Sequence, residues 1–487
     1  MGDQNVGHHT LDEAISTLGF GKFQSLAIVF AGISWLSEAM EITLLSFIGP
    51  AVKSEWSLSP TEESLLSTAV FAGMLVGAVF WGLISDAYGR RKGMRGVIVV
   101  ITVAGVLSAL SPDYKSLIAI RCIVGFGVSG GHVYASWFLE FVPSVNRAAW
   151  TLALTGFWII GELLEALLAW IIMPRLGWRW LLALSSAPAL ITLMITLTPL
   201  IPESPRFLFI EGRTNEAMDI LKKVARINRK ELPAGRIHVA NQSTFEVESI
   251  PSDEAILLAP TQKKANHLQV FTNTMFELFS IKLLRTTLLL LLLHLGYTFA
   301  YYGIMLMTSS MSSNQTACDS LNVVSASAED TKLYTTVLIA SSAEIPGLFI
   351  AAFLVEKIGR KRSMETLTSL ALISLLPLSV RLNDIITTAL LFCARMLIFS
   401  TFSSLSVYAK EVYPTSIRAS GSGLATAVGR IGGMVCPLVA VGLVRGCQQA
   451  LAVAVFGIVI LVSGICVVFF PVETKGRALA DTVEDEE

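Results

Sequence analysis

Gly82-Leu-Ile-Ser-Asp86-Ala-Tyr-Gly89-Arg90-Arg91-Lys92, a basic loop closing a long apolar run, returns in the second half of the chain as Val355-Glu356-Lys357-Ile358-Gly359-Arg360-Lys361-Arg362. The recurrence is not isolated. Arg121, Glu140, Pro143 and Arg147 are matched by Arg395, Glu411, Pro414 and Arg418, and the offset stays between 270 and 274 residues throughout. A repeat of this length fits a chain made of two parallel six-helix bundles, a construction common among transporters.

Working outward from the repeat, the apolar runs agree with it. A helix that crosses the bilayer needs about 20 mostly apolar residues, and twelve such runs begin near residues 23, 65, 95, 116, 148, 179, 284, 333, 364, 386, 420 and 449. The chain is 53% hydrophobic and only 15% charged, where a soluble domain carries about a quarter charged residues. The predicted fold is an all-α membrane protein with twelve transmembrane helices in two pseudo-symmetric six-helix bundles, 23–201 and 283–471. Around them lie an N-terminal tail (1–22), a polar linker (202–282) and a C-terminal tail (472–487).

An even number of spans puts both tails on one side. Arg90, Arg91, Lys92 and Arg95 after span two, with Lys357, Arg360, Lys361 and Arg362 after span eight, predict that this side is the cytoplasm. The polar start through His8, His9, Asp12 and Glu13 lacks the pattern of a cleavable signal peptide, so the first span is expected to direct its own insertion. In the linker, Ala217, Ile220, Leu221, Val224 and Ile227 share one helical face, a pattern suited to the cytoplasmic membrane surface. Lys230 to Ala265 reads as a mobile linker.

Several function classes are set aside by residue usage. A net charge of -1 offers no global attraction to nucleic acid. Six cysteines without CxxC spacing give neither a zinc nor a redox motif, so no metal and no cofactor is expected. No nucleophile-base arrangement or phosphate loop points to an enzyme, and Gly125-Phe-Gly127-Val-Ser-Gly130-Gly131 reads as close helix packing within span four. The expected partners are the bilayer, a small molecule and a proton, with the chain acting as a monomer.

Ionisable groups inside a membrane cost at least about 2.5 kcal/mol each on insertion scales, and each is therefore a functional candidate. Glu38 and Glu41 in span one, and Glu162 and Glu165 in span five, are spaced i,i+3, which places each pair on one helical face. Neighbouring carboxylates raise each other's proton affinity, so these pairs read as proton-coupling sites, with Glu344 in span eight beside them. The alternative is structural pairing with Arg121 or Arg395. Arg430 lies near the middle of span eleven, where a permanent cation suits a carboxylate substrate, with structural pairing to a buried Glu as the alternative. Span seven reads His294-Leu-Gly-Tyr297-Thr-Phe-Ala-Tyr301-Tyr302-Gly303, small residues beside aromatics able to stack on a flat ring, with packing as the alternative.

The repeated loops resemble those of the major facilitator superfamily over nearly the whole chain, and Pro202-Glu-Ser-Pro-Arg206 and Pro471-Val-Glu-Thr-Lys-Gly-Arg477 resemble signatures of its sugar-porter branch and relatives. Their charges can form a cytoplasmic ion-pair lattice that closes in one state and parts in the other. Asp86, Arg90, Glu140, Arg147, Glu203 and Arg206 would serve one half, and Glu356, Arg360, Glu411, Arg418, Glu473 and Arg477 the other.

Sugar porters usually carry a Gln-Gln pair in span seven, and His294 with its aromatics stands there instead, which argues against a hexose. Gly19-Phe-Gly-Lys-Phe-Gln24, Trp35 to Glu41, Pro174 to Trp180, Ala300-Tyr-Tyr-Gly303 and Gly429-Arg-Ile-Gly-Gly433 resemble the synaptic-vesicle-protein-related and organic-ion branch. Within it they are most similar to the plant organic cation/carnitine transporter 7 group, also described as NiaP-type nicotinate transporters. The resemblance implies proton-coupled nicotinate uptake, with Arg430 on the carboxylate and Tyr297, Tyr301, Tyr302, Trp35, Trp158 and His294 around the ring. Carnitine, N-methylnicotinate or another organic cation drawn by the buried glutamates is the alternative, and a receptor of transporter fold that moves nothing is the alternative of another class. Asn314-Gln315-Thr316 is a glycosylation sequon in an exofacial loop, and Cys318 and Cys447, also exofacial by this topology, are a candidate disulfide. The plasma membrane is the expected location, ahead of the vacuolar membrane.

Overall fold

The computed structural model describes residues 8–143, 147–233, 236–238, 276–314, 326–413 and 417–475. Among the described residues, eleven helices are long and apolar enough to cross a membrane. Spans one to six are Lys22–Trp56, Pro60–Tyr88, Arg90–Ala109, Tyr114–Leu139, Ala153–Leu176 and Trp178–Leu197. Spans seven, eight, ten, eleven and twelve are Leu284–Ser312, Lys332–Ile358, Asp384–Val412, Ser420–Leu443 and Gln449–Val468. The ninth of the twelve is the shorter helix Arg360–Leu375, carried on by a 3-10 turn, Leu376–Ser379. Pro377 withholds the N–H that would bond to the Ile373 carbonyl, and regular winding ends there.

Breaks in the spans follow the same chemistry and place irregular backbone deep in the protein. Span eight breaks at Ala343, because Pro346 cannot donate to the Ser342 carbonyl, and the second half of the span starts on Glu344. Span six breaks at Ser186, just before Pro188. Span four breaks between Val128 and Gly131, and span eleven passes after Pro437 into a π-helical turn, Leu438–Leu443. Such backbone is tolerated at membrane depth only where protein or a wet cavity covers it.

Glycine decides how closely spans two and four approach. A Cβ on Gly125 would lie 2.0 Å from the Val70 carbonyl oxygen, and one on Gly73 would lie 1.9 Å from that of Cys122. The sequence reading of the span-four glycines as packing residues is met by this contact. The outward faces carry exposed apolar chains such as Val79 and Leu83 in span two and Phe349 and Phe353 in span eight, as a lipid solvent requires.

The repeat is visible at the starts of spans three and nine. Gly89 (φ +98) and Gly359 (φ +92) turn the chain into these helices in a conformation open almost only to glycine. The freed helix N-termini are closed by acidic residues from distant loops. Glu203 accepts from the Arg91 backbone N–H at 3.1 Å, and Glu473 accepts from those of Arg360 and Lys361 at 2.8 and 3.0 Å. Both carboxylates complement the positive end of a helix dipole. A Cβ on Gly89 would sit 2.4 Å from a Glu203 carboxylate oxygen. Gly89→Ala is therefore expected to destabilise by at least about 1–3 kcal/mol of backbone strain, while Gly423→Ala, whose Cβ meets nothing within 4 Å, is expected to leave the melt unchanged. Thermal unfolding of both variants in detergent checks this, and a Gly89→Ala protein that melts with the wild type would refute it.

The N-terminal residues are built into the end of the first bundle that carries the basic loop after span two. His8–Thr10 pairs in parallel with Arg236–His238, and Thr10 caps the helix Leu11–Leu18. Leu11, Ile15 and Leu18 share one core with Ala217, Leu221 and Val224 of the linker helix Thr214–Asn228. That helix was expected to lay its apolar face on the membrane surface, and instead the N-terminal helix and the start of span one cover it. Asn228 fixes the junction by accepting from the Phe23 backbone N–H at 3.0 Å and donating to Gln24 Oε1 at 2.8 Å. The predicted mobile linker lies almost wholly outside the described residues, as does Cys318. Cys447 is disulfide-bonded, while Cys122, Cys393, Cys436 and Cys466 are free.

Candidate functional site

Two buried ionic clusters occupy the middle of the bundles, and the repeat relates their arginines. Arg121 in span four donates through Nη1 to Glu41 in span one at 2.6 Å, with both side chains fully buried. Its counterpart Arg395 in span ten holds two carboxylates. It pairs with Glu162 of span five and, at 3.0 Å, with Glu344 of span eight. The Glu162–Arg395 pair joins the N-terminal half to the C-terminal half.

Around this second arginine the aromatic residues of span seven become ordered. The Tyr301 hydroxyl lies 3.1 Å from Glu162 Oε1 and 2.9 Å from Glu344 Oε1. Trp158 donates its indole N–H to Glu162 at 3.1 Å and stands edge-on to Trp35, ring centroids 6.3 Å apart. Trp35 in turn donates to the Gly131 carbonyl at 3.3 Å. A buried polar network of this kind is stable only when its members are satisfied together.

Arg430 is half-buried and donates through Nη1 to the Tyr302 hydroxyl at 3.1 Å, while its Nε is buried with no hydrogen-bond partner. Tyr302 tilts against Phe71 of span two at 4.8 Å. Glu38 is within electrostatic reach of Arg430, and its Oε1 is buried without a partner. Because a Cβ on Gly131 would come within 2.0 Å of the Glu38 carboxylate, glycine at the break in span four is what admits that group.

The structure thus brings together Arg430, Tyr302, Tyr301, Trp158 and Trp35 with Glu38, Glu162 and Glu344, leaves Glu41 and Glu165 in the Arg121 cluster, and separates two further residues from the group. Tyr297 is wholly buried against span nine, its hydroxyl 2.7 Å from Thr368 Oγ1, and His294 is buried with Nδ1 3.0 Å from its own helix carbonyl at Leu290. Each i,i+3 glutamate pair is likewise divided. Glu41 and Glu162 go to arginines, whereas Glu38 has none in contact and Glu165 accepts from the Ser185 hydroxyl at 2.8 Å.

The loop charges form two sets, one in each half. In the first half Arg90 contacts Asp86 and donates through Nε to Glu140 at 3.2 Å. In the second, Arg360 grips Glu411 with two bonds, at 2.8 and 2.6 Å, and Thr474 adds a third at 2.6 Å. Among the described residues neither set crosses to the other half. Arg206 pairs with Asp12 of the N-terminal helix at 2.9 Å, Glu203 and Glu473 cap helices, and Glu356 is exposed without an ion pair. The side chains of Arg147, Arg418 and Asn314, and all of Arg477, lie outside the described residues.

Sequence reasoning missed Ser185, Asp12 and Thr474. Ser185 carried a usable signal, since it precedes the break at Ser186 in span six, where a freed hydroxyl can reach a neighbouring carboxylate. Asp12 carried none, because its arginine is 194 positions away.

Comparison with known proteins agrees with this architecture. A family described as Sugar (and other) transporter matches residues 37–485. The organic cation/carnitine transporter 7 of Arabidopsis thaliana is 46% identical over 99% of this chain and 98% of its own length. The synaptic vesicle 2-related protein of Rattus norvegicus is 32% identical over 98% of this chain and 83% of its own. Among solved structures, the partially occluded inward open conformation of the xylose transporter XylE from E. coli superposes with a TM-score of 0.67 at 16% identity, covering 96% of this chain and 100% of that one, a likeness of fold.

Proposed function

The chain belongs to the sugar (and other) transporter family of the major facilitator superfamily, and from that premise we propose that it imports nicotinate, a pyridine monocarboxylate, together with a proton. It is a multi-pass membrane transporter; the substrate, the coupling ion and the orientation are the finer reading. The observation that carries the substrate is Arg430, a permanent cation inside span eleven with an unpartnered Nε and a bond to Tyr302, whose ring packs on Phe71. A guanidinium holds a carboxylate by paired hydrogen bonds, and aromatic faces hold a flat ring. Proton coupling rests on Glu38 and Glu165, the buried carboxylates that have no arginine contact among the described residues, with Glu41 and Glu162 tied to Arg121 and Arg395. A proton entering with the substrate offsets the anion's charge. The basic loops after spans two and eight support a reading with both termini in the cytoplasm, and the plasma membrane is the location that suits uptake.

A second reading takes its support from Glu38. Its unpartnered Oε1, on a carboxylate within electrostatic reach of Arg430, suits a molecule with a cationic nitrogen beside its carboxylate, as in carnitine or N-methylnicotinate. Uptake of labelled nicotinate into proteoliposomes, with and without an acid-outside gradient, separates these readings. The expected result is saturable uptake stimulated by the gradient and competed weakly by carnitine. Carnitine uptake in place of nicotinate would reverse the substrate, and saturable binding without uptake would make the protein a receptor.

A further inference from the structure

At the face opposite the basic loops, one carboxylate is shared between the two halves. Glu63, in the first turn of span two, is 3.3 Å from the Arg445 guanidinium at the end of span eleven and 3.2 Å from the Lys53 ammonium in span one. Glu63 is 3% exposed, and the Arg445 side chain is 6% exposed. Next to the pair, a Cβ on Gly442 would be 3.7 Å from the Ser64 hydroxyl, so the two backbones are close here. Span one also comes near through Gly49, whose Cβ would lie 3.4 Å from Glu63.

We propose that Glu63 and Arg445 form the gate that holds the halves together at this face, with Lys53 as the partner that lets the gate open. When one member of a buried pair is withdrawn, the remaining charge is strongly destabilised unless another partner takes it. Lys53 and Glu63 belong to the same half and move as one body, whereas Arg445 belongs to the other. Parting the halves removes Arg445 from Glu63 and leaves the carboxylate neutralised by Lys53. The two cations therefore have opposite effects on the conformational balance: Arg445 favours the closed face, and Lys53 lowers the cost of opening it.

That opposition gives a test no merely structural role would pass. Nitroxide labels at Ser54→Cys and Ala450→Cys, exposed positions in the two halves near this face, report its width by double electron–electron resonance, with the four free cysteines replaced by serine. Glu63→Gln and Arg445→Gln are expected to shift the distribution to longer distances, and Lys53→Met to narrow it to the closed distance while slowing transport severalfold. The exchanged pair Glu63→Arg with Arg445→Glu is expected to restore the closed distance, and it carries the test if neither single variant is monodisperse. Unchanged distances in folded Glu63→Gln or Arg445→Gln protein, widening by Lys53→Met, or an exchanged pair that stays open would each overturn the proposal. None of these readouts depends on which substrate is carried.

Discussion

Arg430→Ala is expected to lower the efficiency of nicotinate uptake by roughly 30-fold to 4,000-fold while leaving the protein folded. Removing one side of a desolvated charge pair costs about 2–5 kcal/mol, and about 1.4 kcal/mol is a factor of ten. In the proposed site the charge lost is the one offered to the substrate carboxylate, while within the protein Arg430 hydrogen-bonds to the neutral Tyr302 hydroxyl. The glutamates nearest the centre are committed elsewhere, Glu162 and Glu344 to Arg395 and Glu41 to Arg121. Glu38, within electrostatic reach of Arg430, loses a compensating charge, so the thermal unfolding temperature of the variant is expected to drop modestly and to recover when Glu38→Gln is added. Arg430→Lys keeps the charge but loses the fork of donors and is expected to recover part of the uptake. Tyr302→Phe removes a neutral hydrogen bond, worth about 0.5–1.5 kcal/mol, and is expected to be the mildest of the three. Uptake by proteoliposomes is the measurement, and a folded Arg430→Ala protein with normal nicotinate kinetics would remove Arg430 from the site.

Why Arg430 was legible in the sequence, and its surroundings less so, has a physical reason. A cation in the middle of an apolar span is costly wherever the helix points, so position alone marks it as a functional candidate. The same holds for the twelve spans and the 270–274 residue repeat, which are patterns along the chain. Which carboxylate meets which arginine depends on contacts between distant spans. Glu38 and Glu41 share a helical face, yet Arg121 reaches Glu41, and the break in span four leaves Glu38 beside Gly131. Tyr297 and Tyr301 are one helical turn apart, and only the packing of span nine decides that Tyr297 spends its hydroxyl on Thr368. Glu203 and Glu473 were read as members of a lattice because a loop carboxylate near arginines looks like a salt bridge. Their true targets are backbone N–H groups, which sequence does not distinguish. Glu63 and Arg445 stand at span ends, where charges are ordinary, and their meeting across the halves left no mark in either segment.

Arg395→Gln is expected to be the most damaging substitution in the molecule. It leaves Glu162, Glu344 and the Tyr301 hydroxyl facing one another in a site from which water is excluded, and removing one member of a buried ionic group costs about 3–5 kcal/mol. Glu162→Gln is expected to cost less, because Arg395 keeps Glu344 at 3.0 Å within its own half. The logic is that of the opposite face: the ion shared between halves has a second partner that travels with it. At the centre the shared ion is a cation and its companion an acid; at the face it is Glu63 and its companion Lys53. Glu162 can therefore part from Arg395 without leaving the arginine uncompensated, because Glu344 stays with it. The measurement is thermal unfolding in detergent of Arg395→Gln, Glu162→Gln and the double variant. Arg395→Gln should melt lowest, Glu162→Gln between it and the wild type, and the double variant above Arg395→Gln, since it carries one uncompensated carboxylate fewer. A double variant that melts below Arg395→Gln alone would mean that Glu162 stabilises the fold through Trp158 and Tyr301 rather than through the arginine, and the centre would then be packing, not a coupling device.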